Sequence, residues 1–198
     1  MIKNKKVVQG EKTVQRLLKV ARKHFKNKGY SATTTEDIIQ DARVTKGALY
    51  HHFPSKVDLF EAVYRQVEDE MGQRIQDSSA NRRNRFEQLL EGCRTYLECC
   101  IDDDLHRILR MDGPSVLGMN RWQEIDREYG IDRLLPFLYE LKKEGVIDVQ
   151  SVEAFAALLT GAMNEATFWC SGHKNPPQAL KQSKSVLETL LRSVQVTQ

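Results

Sequence analysis

Apolar residues return every three or four positions along almost the whole chain past residue 10, and no useful run alternates with the two-residue period of a strand. The first stretch, residues 11–28, puts Val14, Leu17, Leu18, Ala21 and Phe25 on one helical face and stops at Gly29. Thr34 or Thr35 caps a second helix, with Glu36 and Asp37 in the first turn, where negative charge is favoured. A short third helix near residues 45–52 turns Leu49 and Phe53 inward and Tyr50 and His51 away, and His52 is expected to pack on the helix that follows. Pro54–Ser55 ends it, and Ser55 caps a fourth helix over residues 56–76. At ~30 Å by the helical rise, that fourth helix reads as a connecting rod.

Downstream, residues 78–85 are polar and loop-like. A fifth helix covers residues 85–101, with Phe86, Leu89, Leu90, Cys93, Tyr96, Leu97 and Cys100 inward. A sixth covers 104–111, opened by the acidic run Asp102, Asp103, Asp104 and broken at Asp112–Gly113–Pro114. The seventh, 121–143, is punctuated by Gly130 and predicted to kink at Pro136. Residues 152–169, capped by Ser151, are the most apolar, and 177–194 form the last helix. These last two carry more apolar surface than a small domain covers, which predicts self-association. The fold class is therefore all-α, with about nine helices.

Charge sharpens the picture. The net +3 hides an asymmetry: residues 1–56 carry 13 Lys and Arg against 4 Asp and Glu, a net of +9, whereas 57–198 carry 17 against 23, a net of −6. A basic module before an acidic one suits phosphate neutralisation at one end. No run approaches 18 apolar residues and the basic start lacks an apolar core, so a cytoplasmic protein without a membrane span is expected. The four cysteines form no C-x-x-C pair and have no nearby His cluster, which predicts no metal site and no cofactor. Reduced thiols filling the core are the default for them.

Residues 33–60, TTTEDIIQDARVTKGALYHHFPSKVDLF, are the most informative stretch. Two short helices joined by a tight turn, the second small-sided at its start, fit a helix that enters the major groove of double-stranded DNA. The chain from Val14 to Val67 resembles the DNA-binding domain of the TetR (tetracycline-repressor) family. The resemblance is carried by Ala21, Phe25, Gly29–Tyr30, Thr33–Thr34, Asp37–Ile38, Ala42, Val44, Thr45–Lys46–Gly47, Leu49–Tyr50, His52–Phe53, Lys56 and Leu59–Phe60. It departs at Ile39, where the family has a small Ala, and at Arg43, where it has Gly. The turn tends to need a positive φ there, so Arg43 either strains it or uses another geometry. Arg43 is either a tolerated surface residue or an added DNA contact.

The resemblance implies a three-helix helix-turn-helix domain in residues 1–56 and a helical effector-binding and dimerisation domain in 57–198. It implies phosphate contacts from Thr34, Thr35, Tyr50, His51 and Lys56. Thr45, Lys46 and Ala48 become candidates for base edges, with Gly47 allowing close approach. A dimer through the last two helices would read an inverted-repeat operator. The segment Asp112–Gly118, with Trp122, Asp126 and residues 161–166, resembles a C-terminal subgroup of the family. An unknown small-molecule effector is implied among the fifth to eighth helices, with Tyr96, Trp122, Asn164, Glu165 and Phe168 as candidate ligand residues. For Asn164 and Glu165, three roles fit: an effector contact, a backbone partner, or a pair across the dimer axis. The implied function is a ligand-released repressor. A redox-responsive regulator sensing through Cys99 or Cys100 is the alternative. No G-x-S-x-G elbow, phosphate-cradling Gly loop or metal cluster is present, which argues against an enzyme.

Overall fold

The computed structural model describes residues 2–82, 84–99, 102 and 105–196, with side chains described from residue 7 onward. The predicted inward positions Cys100 and Ile101, and the helix-start residues Asp103 and Asp104, lie outside the described residues. The chain is all-α: α1 (Ile2–Ala32), α2 (Thr35–Ala42), α3 (Lys46–His52), α4 (Lys56–Ala80), α5 (Arg85–Cys99), α6 (His106–Asp112), α7 (Gly113–Leu117), α8 (Met119–Tyr129), α9 (Ile131–Lys143), α10 (Val152–Gly172) and α11 (Pro176–Arg192). Among the described residues, the extended structure is an isolated antiparallel bridge, Ile147 to Gln195, which ties the end of the chain to the α9–α10 connection. No described helix is long and apolar enough to cross a membrane.

The chain divides into two compact units. The first comprises residues 1–67 together with 107–120, and the second comprises 68–106 and 121–198. In the first unit, Leu17, Leu18, Ala21 and Phe25 of α1, Ile38 and Ala42 of α2, Leu49 of α3, Phe53 just past it, and Leu59, Phe60, Val63, Tyr64 and Val67 of α4 are buried. Its centre is aromatic, with Phe25, Tyr30 and Phe60 ring centroids 5.2–5.8 Å apart. An apolar cluster in the second unit is drawn from α5 (Phe86, Leu90, Leu97), α9 (Leu138, Leu141), α10 (Ala156, Leu159, Met163) and α11 (Leu187, Leu191).

Several boundaries differ from the sequence expectation for local reasons. Residues 121–143 are two helices, α8 and α9, separated at Gly130, where a Cβ would stand 2.8 Å from the Asp126 carbonyl oxygen. The chain then runs helically through Pro136. Pro136 and Asp132, whose carbonyl loses its helical donor, are both exposed, so that turn of α9 is open to solvent. Asp112–Gly113–Pro114 is not a break either. The π-wound α6 passes into α7 there, with Pro114 in the first turn, where a missing N–H costs nothing. His52 also meets α1: its Cε1 lies 3.8 Å from the position of a Cβ on Gly10.

Candidate nucleic-acid interface

Two N-caps shape the reading face of the first unit. Thr34 is extended (φ −98°, ψ 155°), and its Oγ1 accepts from the Asp37 N–H at 3.1 Å. Thr45 does the same for α3, accepting from the Ala48 N–H at 3.1 Å. Such caps satisfy one orphan donor and leave the first N–H groups of each helix aimed outward. Between the helices, Arg43 adopts φ 52° and ψ 48°. The Arg43 N–H donates to Gln40 O and the Val44 N–H to Ile39 O, which makes the turn a Schellman closure with arginine in the left-handed position. The sequence departure at Arg43 is thus accommodated in the positive-φ geometry that glycine would occupy.

The exposed residues form a continuous set. Thr35 Oγ1 lies 3.4 Å from Tyr50 OH, joining the start of α2 to the outer face of α3. Lys46 Nζ stands 3.9 Å from Glu36 Oε1 and 5.9 Å from the Tyr50 ring centroid. His51, Thr34, Thr45 and Gly47 are exposed, and a Cβ on Gly47 would meet nothing within 4 Å. Ala48 is half-buried. Leu49, fully buried, anchors α3 from behind.

Lys56 is placed differently from these. Its ammonium donates to the carbonyls of Tyr30 (2.8 Å) and Thr33 (2.7 Å) and sits 3.9 Å over the Tyr30 ring. Burial draws its pKa below the ordinary lysine value, and the Asp112 carboxylate partly offsets that. Two further pairs, invisible to sequence periodicity, brace α2 on α1. His24 Nε2 lies 2.8 Å from Asp41 Oδ2, and Lys28 donates to Asp37 at 3.3 Å, holding that carboxyl below its usual range.

In the second unit, part of the predicted ligand set converges. Tyr96 donates to Asn164 Oδ1, and Asn164 Nδ2 donates to Asp126 Oδ2 at 3.1 Å, tying α5, α10 and α8 together. Trp122, one turn before Asp126 on α8, is half-buried with its indole Nε1 shielded from solvent. Glu165 and Phe168 are instead exposed on α10. An open groove of about 620 Å³ between α5 and α11 is lined by charged residues, among them Arg94, Lys184 and Glu188.

The described cysteines do not have the character of a redox sensor. Cys93, Cys99 and Cys170 are buried. Burial pushes the Cys93 thiol up to about 12 and raises that of Cys99, although Arg74 pulls the latter back. Cys100 lies outside the described residues. Among the described residues, no group of His, Cys, Asp and Glu could hold a metal ion.

Known proteins match both parts of the chain. Residues 17–63 match the family described as bacterial regulatory proteins, tetR family, and residues 86–194 match the tetracyclin repressor-like C-terminal domain. The transposon Tn10 TetC protein of Escherichia coli is 29% identical over 161 residues, which is 80% of each chain. The regulator AcrR of Shigella flexneri is 37% identical over 65 residues, covering 33% of this chain and 30% of that protein. A tetR-family regulator structure from Pectobacterium atrosepticum superposes with a TM-score of 0.82 at 33% identity, over 96% of this chain and 97% of that one.

Proposed function

The chain belongs to the tetR family of bacterial regulatory proteins, and from that premise we propose that it is a dimeric repressor released from an inverted-repeat operator by a small-molecule effector. As a member of this family it is a DNA-binding transcription regulator and not an enzyme. The observation that carries the finer reading is the exposed face of Thr34, Thr45, Lys46, Tyr50 and His51, with half-buried Thr35 joining the two capped helix starts. In the proposed complex, Thr34, Thr35, Tyr50 and His51 hold phosphates, and Thr45, Lys46 and Ala48 meet base edges. Gly47, open on its outer side, lets the α3 backbone approach the groove. Lys56 acts behind this face, through the carbonyls that it binds.

Dimerisation through α10 and α11 is supported by large apolar side chains left on their outer faces: Leu158, Phe168 and Trp169, with Val186 and Leu190. The Tyr96–Asn164–Asp126 chain beside Trp122 is the proposed polar anchor for the effector, suited to a ligand with an apolar body and a hydrogen-bonding group. The proposed place of action is the cytoplasm, where the DNA is.

Selection of bound fragments from random duplexes, followed by titration at several salt concentrations, tests the reading. An inverted repeat is expected to emerge. Lys46→Ala alters the preferred sequence at about 1–3 kcal/mol. Tyr50→Ala weakens binding to all sequences alike. Recovery of no preferred sequence would overturn the proposal.

A further inference from the structure

The reading face is held by a segment far from it in sequence. Thr34 and Thr35, of the proposed DNA face, lie five and six residues past a kink in α1: Gly29 leaves the helix at φ 78° and ψ 168°, a region open essentially to glycine alone. Two residues of the π-wound α6, which belongs with α1–α3 in the first compact unit, close on that kink. The Arg107 guanidinium covers Gly29 so closely that a Cβ there would stand 3.0 Å from Nη2 and 3.3 Å from Nε. Asp112 Oδ2 accepts the Tyr30 N–H at 2.8 Å, immediately past the kink.

The bonds continue from the kink to the α2 cap. Thr33, nearly fully buried, donates from Oγ1 to Gly29 O at 2.7 Å and from its N–H to Tyr30 O at 3.2 Å. Lys56 binds the carbonyls of Tyr30 and Thr33 from the other side, and its charge faces that of Asp112. Thr34, the next residue, caps α2. The Tyr30 N–H is therefore held by Asp112 of α6, and the carbonyls of Tyr30 and Thr33 by Lys56 at the start of α4. Only the Lys56 part of this belongs to the helix-turn-helix sequence.

We propose that Asp112 and Arg107 are positioning residues for DNA binding: seated on the Gly29–Tyr30 kink, they hold the Thr33–Thr35 turn in the setting that meets phosphate. The proposal rests on the reading of this chain as an operator-binding regulator. The two residues touch no DNA. They remove the cost of ordering the turn at the moment of binding, so their loss lowers affinity without changing which contacts are made. π-wound turns are frequent at functional sites, and buried Ile108 and Leu109 anchor this one between Arg107 and Asp112.

The test compares full-length wild type with Asp112→Ala, Asp112→Asn, Arg107→Met and a control, Leu159→Ala, which weakens the core of the other unit. Each is titrated against the inverted repeat selected by the wild type, over a salt series, with hydrogen exchange followed at amides 33–38. Asp112→Ala and Arg107→Met are expected to raise Kd about tenfold, with salt slope and sequence preference unchanged and exchange at those amides faster. Asp112→Asn, which keeps an acceptor for the Tyr30 N–H, is expected to stay within about threefold of wild type. Leu159→Ala lowers Tm and leaves Kd in place. Equal Kd in wild type, Asp112→Ala and Arg107→Met overturns the positioning role and leaves the operator reading intact. So does an equal loss of affinity in the Leu159→Ala control. A wild type that selects no repeat overturns the operator reading, and the positioning role falls with it.

Discussion

Arg43 concentrates a conflict between backbone and side chain. At φ 52° an L-residue pays roughly 1–2 kcal/mol, which glycine would avoid. Glycine would also loosen the unfolded chain, which returns about 0.4–1 kcal/mol of the gain. Arg43→Gly is therefore expected to stabilise the protein by about 0.5–1 kcal/mol, seen as a rise in Tm of about 2 °C. Retention of a strained arginine on an exposed turn beside α3 is accounted for if its charge neutralises a phosphate. On that account the stabler variant binds DNA less well, and its log K against log salt slope shrinks by about 0.9. If Tm rises and both binding parameters stay put, Arg43 has no DNA role.

Among the elements, α9 and α10 are joined by a hydrogen bond with a clear pH signature. The Tyr139 hydroxyl donates to Glu153, and with the backbone and Ser151 it holds that carboxyl at about 2 against an ordinary 4.5. A carboxyl whose folded pKa is depressed stabilises the fold above its unfolded value and loses that contribution as pH falls through the folded one. The difference in Tm between wild type and Tyr139→Phe should therefore be full near neutrality and shrink between about pH 4.5 and pH 2. An NMR titration should show the Glu153 carboxyl returning toward 4.5 in the variant. A Glu153 titration unchanged by Tyr139→Phe would mean that the bond does not set its pKa. The same scale shows what the sequence made legible. Helices with a one-sided apolar face, α1, α4 and α5, were readable because burial acts on every third or fourth residue. The Ser151 cap was readable, and the α2 cap was narrowed to Thr34 or Thr35, because a side-chain oxygen in that place closes the first turn; the structure puts it at Thr34. The split at Gly130 was harder, because it depends on a close approach to the Asp126 carbonyl, open only to a residue without a Cβ, that exists only once the chain has turned. The caging of Lys56 and the docking of Asp112 on Tyr30 were not readable at all. Both join residues 23 to 82 positions apart, through polar bonds that leave no periodic trace.

For the whole molecule, the proposed dimer makes the most exacting demand. A single reading face recognises only a half-site, and an inverted repeat gains affinity only when two copies are joined with fixed spacing. The side chains that would join them are exposed in the isolated chain: Leu158 is 74% accessible on α10 and Leu190 56% on α11. Neither belongs to the apolar cluster of the second unit, so a charge at either place leaves that core intact. Leu158→Glu with Leu190→Glu should therefore fold with nearly unchanged helicity and Tm at high dilution, yet sediment as a monomer where the wild type sediments as a dimer. Two desolvated carboxylates against an apolar partner face would cost several kcal/mol, enough to dissociate an interface of ordinary size at micromolar protein. On DNA, the double variant should bind a single half-site as the wild type does and lose the extra affinity for the full repeat, a factor of about 10²–10⁴. A double variant that remains dimeric would move the interface off α10 and α11. A monomer that still holds the full repeat tightly would separate operator recognition from dimerisation, and the inverted-repeat reading would have to be abandoned.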